Sequence, residues 1–322
     1  MNSIIQQFNN SNKIIVVTHT HPDGDAIGSL IAMGMSLEAL NKKITLYCES
    51  LIPAVYRFLP EVHRVVNKIG NLNYDMAVIL DCGDLSRVGQ TVSYLEQIPV
   101  IVNIDHHVTN TRFGHLQLID TSACATAEIV YRLIKQMGLP FSKSVATSIY
   151  TGILADTGSF RFSNTNKAAF AICQEMVEIG VDPHNIAQHV YGTYSLSRIK
   201  LLNLALDSIE LSENGKLSIM TLTQKMFDET NTKPEDVDGL INYAQRIEDV
   251  EVAALIQEHH NGNENSRTTN RFHVSLRSDG TFDVAAIAAM FGGGGHSSAA
   301  GFSIEETLSS VKSRIFRLAD KI

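Results

Sequence analysis

"KIIVVTHTHPDGDAIGSLIAMGMSLEAL", Lys13 to Leu40, sets an apolar run, a short loop crowded with histidine and aspartate, and a helical pattern in immediate succession. An Ile/Val run without polar alternation reads as a strand covered on both faces, the habit of parallel sheets. Ile27, Leu30, Ile31, Gly34, Leu37 and Leu40 then recur at i, i+3 and i+4 and predict a helix. His19, His21, Asp23 and Asp25 fall where the buried strand ends, the edge at which open α/β sheets collect ligands.

The pattern recurs in "KKITLYCES", "MAVILDCGD" and "VIVNIDHH", each an apolar run followed at once by polar or acidic residues, with "ATAEIVYRLIKQMG" as a further helix stopped by glycine. Alternation of this kind predicts an α/β, doubly wound, mainly parallel sheet over residues 1–185. "NIAQHVYGTYSLSRIKLLNLALDSIEL" then reads as a helix or helix pair, a linker over 186–212. Residues 213–322 read as a smaller mixed-sheet α/β domain. Its expected parts are the strand "ENGKLSIMTLT", the helix "KPEDVDGLINYAQRI", the strand "EVAALIQE", an exposed tip "HHNGNENSRTTN", the strand "RFHVSLRS", the helix "DVAAIAAMFG" and a glycine cluster.

With 322 residues and 44% hydrophobic side chains the chain can bury two ordinary cores. A net charge of −8 argues against a long duplex as partner, so any nucleic acid should be short. Cys48, Cys82, Cys124 and Cys173 lack C-x-x-C spacing and suggest neither a zinc knuckle nor a disulfide framework. "MNSIIQQFNNSNK" lacks the basic start and apolar stretch of a secretory signal, and no long apolar run follows, so a cytoplasmic protein without membrane contact is expected.

Four segments deliver chemistry to the carboxyl edge of the predicted sheet: His19, Asp23 and Asp25; Asp81; Asp105, His106 and His107; and Asp156. Taken singly, an aspartate after a strand is a turn or helix-cap residue, a reading that Asp84 and Asp105 keep. His63, His115, His184 and His189 read as structural. Convergence of four segments on one edge is not explained by capping and points to a metal site. Imidazoles and carboxylates without thiolate suit Mn²⁺ first, with Mg²⁺, Co²⁺ or Fe²⁺ as alternatives. Two histidines and four aspartates exceed the needs of one ion, so two divalent ions are expected, with one aspartate bridging. Without metal the carboxylates should repel one another and show raised pKa values.

"HTHPDGD", "DCGD", "DHH" and "ADTGSF", followed by "GGGGHSSAAG", resemble the DHH/DHHA1 phosphoesterases over nearly the whole chain. In size and layout the chain is most similar to the family's stand-alone oligoribonucleases. The resemblance implies that His19, Asp23 and Asp81 hold one metal and Asp25, Asp81, His106 and Asp156 the other, with Asp81 bridging. It implies that His107 lies beside the scissile phosphate, making Asp81, His106 and His107 the catalytic set, and leaves His21 outside the ligands. The implied reaction is two-metal hydrolysis, with in-line attack by an activated water.

"FGGGGHSSAAGF" alone reads equally as a tight turn or a ligand cradle, and the resemblance favours a cradle formed by Gly293, Gly294, Gly295 and His296. Arg277 in "VSLRS" matches a family arginine and reads as a phosphate clamp. Arg112 and Arg161 are weaker candidates, and Phe160, Phe162, Tyr191 and Tyr194 read as packing rather than base-stacking residues. The implied substrates are RNAs of about two to five nucleotides, the span of a modest cleft, and 3′-phosphoadenosine 5′-phosphate (pAp), cleaved to AMP. The rivals are a dedicated pAp phosphatase, a phosphodiesterase for linear dinucleotides such as pApA or pGpG, and a nucleic-acid binding module with a degenerate site. A family II-type pyrophosphatase is disfavoured because its basic C-terminal signature is missing. A homodimer is an open expectation.

Overall fold

Ile14 and Val16 enter one core and Ile15 and Val17 another, so the strand Lys13–Val17 is covered on both faces, as its unbroken apolar run predicts. A computed structural model of the chain describes residues 1–70, 73–192, 194–259, 270–319 and 322. These form two units, Met1–Thr193 and Tyr194–Ile322. In chain order the first contains α1 (Asn2–Asn10), β1 (Lys13–Val17), α2 (Gly24–Glu38), β2 (Lys43–Tyr47), β3 (Val65–Val66), β4 (Met76–Leu80), α3 (Val92–Leu95), β5 (Val100–Asp105), β6 (Leu116–Ile119), α4 (Thr126–Gln136), α5 (Lys143–Asp156), α6 (Lys167–Glu178) and α7 (Pro183–Tyr191).

All strand pairings in this unit are parallel, in the order β3-β2-β1-β4-β5-β6. The order reverses between β1 and β4, so the loops leaving these strands diverge there and open a crevice at their carboxyl ends. On one face β1, β4 and β5 bury their side chains against α2, α4 and α5. On the other, Val88, Leu95 and Ile98 cover Ile15, Val17, Ala77 and Ile79. Two glycines let α2 and α5 approach closely. A Cβ on Gly28 would stand 2.4 Å from the Ser148 carbonyl oxygen, and one on Gly152 2.7 Å from Cβ of Ala127 and 2.9 Å from Oδ1 of Asp25.

The second unit contains α8 (Leu196–Asp207), β7 (Glu210–Leu211), β8 (Leu217–Leu222), α9 (Gln224–Thr230), α10 (Ile241–Gln245), β9 (Val252–His259), β10 (Asn270–Ser278), α11 (Val284–Ala289), β11 (Gly294–His296), β12 (Ala299–Glu306) and α12 (Leu308–Phe316). Its sheet is mixed, in the order β11-β12-β10-β9-β8-β7, with β8 and β9 parallel and the other pairs antiparallel. The stretch predicted as a helix or helix pair forms α7 and α8. Ile186 and Val190 of α7 pack into the first unit's core, Leu201 and Ala205 of α8 into a core of the second.

Two local expectations are corrected. "KPEDVDGLINYAQRI" is not one helix but a 3-10 turn, Pro234–Val237, and the short α10, interrupted at Gly239 with φ +79°. The glycine run is not a bare turn, since Gly294–His296 forms β11 against β12. Residues 260–269 of the predicted exposed tip lie outside the described residues.

Candidate metal centre

Asp81 follows β4 directly, is 2% exposed, and has φ +59°. A non-glycine residue enters this left-handed region at a cost, which the surrounding bonds must offset. The Asp81 amide donates to the Ile104 carbonyl at 3.1 Å, and Oγ1 of Thr126 donates to Asp81 Oδ1 at 3.0 Å. Three imidazoles approach the same carboxylate. Nε2 of His19 is 3.5 Å from Oδ2, Nε2 of His106 is 3.7 Å from Oδ1, and Nδ1 of His107 is 3.7 Å from Oδ1.

Donor atoms gather in three overlapping groups, each within 4.8 Å: His19, Asp23 and Asp81; Asp25, His106 and Asp156; and Asp81, His106 and His107. Every residue expected to bind metal belongs to at least one of them. Nδ1 of His19 lies 2.8 Å from the Thr20 carbonyl and Nδ1 of His106 3.4 Å from that of Ala123. A carbonyl only accepts, so each Nδ1 carries a proton, and Nε2 is the nitrogen that becomes a lone-pair donor once the ring gives up its second proton.

The aspartates are oriented just as firmly. Oδ1 of Asp23 accepts from the amides of Asp25 and Ala26, so Asp23 caps α2 and belongs to the donor cluster at once. Asp25, fully buried, accepts from the Thr126 amide at 2.6 Å, the Ala127 amide at 2.8 Å and Ser29 Oγ at 3.0 Å. It thereby occupies the start of α4, whose own N-cap, Ala125, supplies no side-chain bond. Nδ2 of Asn164 holds Oδ2 of Asp156 at 3.0 Å.

Burial and mutual charge divide the carboxylates. Burial, then the charges of Asp81 and Asp156, push Asp25 well above the usual carboxylate range. Burial, with Asp23 and Asp81, pushes Asp156 up to about 7 against the opposing pull of His106. Asp81 departs from the expectation: burial works to raise it, but His19, His107 and His106 hold it well below the usual range. Burial would lower His106, yet Asp156, Asp81 and Asp25 raise it to about 9. His19 is also raised, its desolvation outweighed by its bond to Asp81 and the charges of Asp23 and Asp81.

Asp105 is not the cap its position suggested. It is fully buried, and its Oδ1 takes Nδ1 of His107 at 2.6 Å while Oδ2 accepts from Nδ2 of Asn110 at 2.6 Å. Asp84 does cap its turn, accepting from the Ser86 amide. Arg87, not singled out in the sequence, brings Nη1 to 3.4 Å from Nε2 of His107. Thr126, Asn164 and Asn110 were likewise missed, because each acts through a carboxylate, Thr126 through one distant in sequence and the two asparagines through contacts set by the fold of their own loops.

His21 is exposed, adopts φ +56°, and joins no donor group among the described residues; its amide donates to Ser50 Oγ. His115 accepts from the Ile101 amide, and His189 stacks on Phe58 and approaches the Asn185 carbonyl, both structural contacts. Arg161 donates to the Gly158 carbonyl, and Arg112 is exposed. Phe160 stacks on Phe170, while Phe162 and Tyr191 are partly exposed. The four cysteines are buried and unpaired.

In the second unit, Arg277 lies on β10, paired with Ala299 of β12 and Ala253 of β9. Burial lowers its pKa, opposed by Asp238, and Nη1 donates to the Leu276 carbonyl at 3.0 Å. No salt bridge to a carboxylate is formed by Arg277 among the described residues. Gly293 and Gly295 are imposed by strand pairing, since a Cβ would stand 2.1 Å from the Gly301 carbonyl oxygen and 2.5 Å from that of Ala299; Gly294 is open. The side chain of His296 lies outside the described residues. Tyr194 carries the Arg198 guanidinium 3.8 Å over its ring.

The model of the DHH family, N-terminal domain, matches residues 13–153, and that of the DHHA1 domain residues 214–322. The chain belongs to the DHH family. Within that family it is 33% identical over 296 residues to the bifunctional oligoribonuclease and PAP phosphatase NrnA of Thermus thermophilus, covering 91% of this chain and 84% of the relative. It is 25% identical over 294 residues to the protein of the same name from Bacillus subtilis, covering 90% and 89%. The crystal structure of an exopolyphosphatase-related protein from Bacteroides fragilis superposes with a TM-score of 0.89 at 27% identity, covering 99% of this chain and 94% of that one. These likenesses extend the DHH/DHHA1 architecture over both units. Among the described residues no helix is long and apolar enough to cross a membrane.

Proposed function

We propose that this DHH-family chain is a metal-dependent phosphoesterase that hydrolyses short oligoribonucleotides and converts pAp to AMP. The observation that carries the reading is a linked set of donor groups around buried Asp81: His19, Asp23 and Asp81 on one side, Asp25, His106 and Asp156 on the other, joined through the group of Asp81, His106 and His107. The donor set fits hard or borderline divalent ions, Mn²⁺ first. His19, Asp23 and Asp81 would hold one ion; Asp25, Asp81, His106 and Asp156 would hold the second. The relatives named as oligoribonuclease and PAP phosphatase support the substrate class.

Bound divalent ions would supply charge neutralisation at the phosphoryl group and an acidified water. The chain's own part is orientation and proton handling. Asp105 holds His107 at Nδ1 and fixes the ring against rotation. His107 then stabilises charge at the phosphoryl oxygens. Arg277, with its stem in the sheet and no salt-bridged carboxylate among the described residues, grips a terminal phosphate or the 3′ nucleotide. The strand hairpin bearing Gly293, Gly294, Gly295 and His296 offers backbone to the same ligand. Residues 1–185 would be the catalytic domain, 186–212 the linker and 213–322 the substrate-binding domain.

One assay tests this: turnover of RNA dimers to pentamers, a 24-mer, pAp, pApA and pyrophosphate with Mn²⁺ and with chelator. Turnover of the short RNAs and pAp, lost on chelation, is expected. Turnover of pAp alone or pApA alone would move the assignment to the narrower enzyme. Activity unaffected by chelation would remove the metal centre.

A further inference from the structure

Arg87 lies in the 3-10 turn Leu85–Val88, which Asp84 caps. Its carbonyl accepts from the amide of Thr20 at 2.8 Å and from Thr20 Oγ1 at 3.2 Å, so its backbone is locked to the loop that carries His19. The residue is exposed, and no salt bridge ties its guanidinium to a carboxylate among the described residues. That is unexpected beside so many aspartates. Instead Nη1 stands 3.4 Å from Nε2 of His107, whose Nδ1 is already committed to Asp105. A guanidinium carries five N–H donors in a planar fork. Here the fork has an imidazole for its neighbour and donors to spare, at the edge of a cluster that divalent ions would render nearly neutral.

We propose that Arg87 is a phosphoryl-binding residue, whose guanidinium leaves Nε2 of His107 to take non-bridging oxygens of the scissile phosphate. The proposal rests on the phosphoesterase reading. A phosphodiester offers two non-bridging oxygens and a terminal phosphate three, and either matches the fork by paired charge-assisted bonds. Arg87 therefore serves monoester and diester alike, unlike a residue that recognises a distal nucleotide. Its backbone anchor to Thr20 ties the grip on phosphate to the loop that places His19 and Asp23. Lysine cannot replace the fork, because its single ammonium does not span two oxygens.

The test uses the Mn²⁺-loaded full chain and inorganic phosphate as probe, read by ³¹P line broadening and by calorimetry. Arg87→Ala should weaken phosphate binding at least about tenfold, with metal content unchanged. The same variant should lower kcat/KM for both pAp and pApA by about 10²–10³, the usual loss of one such donor. Added guanidinium ion should restore part of that loss and leave the wild type unchanged, a rescue that a merely structural role would not show. Arg87→Lys should recover only a fraction. Should the alanine variant lose metal, Arg87→Gln gives the same comparison. Wild-type phosphate affinity in a metal-loaded Arg87→Ala or Arg87→Gln protein would overturn the proposal. Wild-type protein that binds phosphate through Arg87 but hydrolyses no nucleotide would overturn the phosphoesterase reading instead.

Discussion

The backbone amide of Thr126 donates to Oδ2 of Asp25 at 2.6 Å, across 101 residues of chain. This bond, with that of Ala127, places the positive end of α4 on a carboxylate that no solvent reaches. Thr126 also donates through Oγ1 to Asp81, so one residue positions both carboxylates.

Thr126→Val keeps the shape and the amide bond to Asp25 while deleting the hydroxyl on Asp81. Metal affinity should fall about 10–100-fold, the usual effect of losing a bond that orients a ligand. Titration against a competing chelator measures it, and an unchanged affinity would show that Asp81 needs no such support.

Asp105→Asn should leave metal content intact and lower kcat by about 10²–10³, because the amide no longer selects the Nδ1-protonated ring of His107. Steady-state kinetics on metal-quantified protein decide the matter. A loss confined to KM would mean that His107 only binds substrate.

Metal removal should make stability depend on pH. Asp156, raised to about 7, binds more protons folded than unfolded, so its contribution declines as pH rises from the ordinary carboxylate range through 7. His106, raised to about 9, contributes fully below its ordinary value and loses that contribution as pH climbs through 9. Both slopes have one sign, so the chelated protein should melt progressively lower from pH 5 to 9. Mn²⁺ should remove most of this dependence and release protons on binding, which calorimetry in buffers of different ionisation enthalpy can count.

Gly152→Ala forces a methyl to 2.7 Å from Ala127 and 2.9 Å from Asp25 Oδ1. Overpacking of this kind costs about 1–3 kcal/mol. The shift also disturbs Asp25, so metal affinity should drop along with the melting temperature.

Much of the first unit was legible because its strands are buried on both faces and leave continuous apolar runs. The same logic put His19, Asp81 and His106 on one edge, since a parallel sheet sends all its carboxyl ends one way, whereas Asp156 reaches the cluster from the end of α5. What stayed illegible was support from a distance. Nothing near Thr126 announces that its amide serves Asp25, and Asp105 looked like a cap because its partners, His107 and Asn110, are set by the fold of the loop. The break at Gly239 was hidden by an apolar spacing that also suits a helix, and the pairing of Gly294 and Gly295 with β12 by the absence of side chains to read.

The bond between Asp25 and Thr126 also orders events during synthesis. Loop closure over 101 residues must come before the second donor group exists. A chain interrupted before α4 could offer His19, Asp23, Asp81 and His106 to a cation, yet would leave Asp25 without its amides and lack Asp156 altogether. Metal loading would therefore be a late step, and a bound ion would act as an inspector of the finished topology, rewarding only chains in which α4 has already reached Asp25.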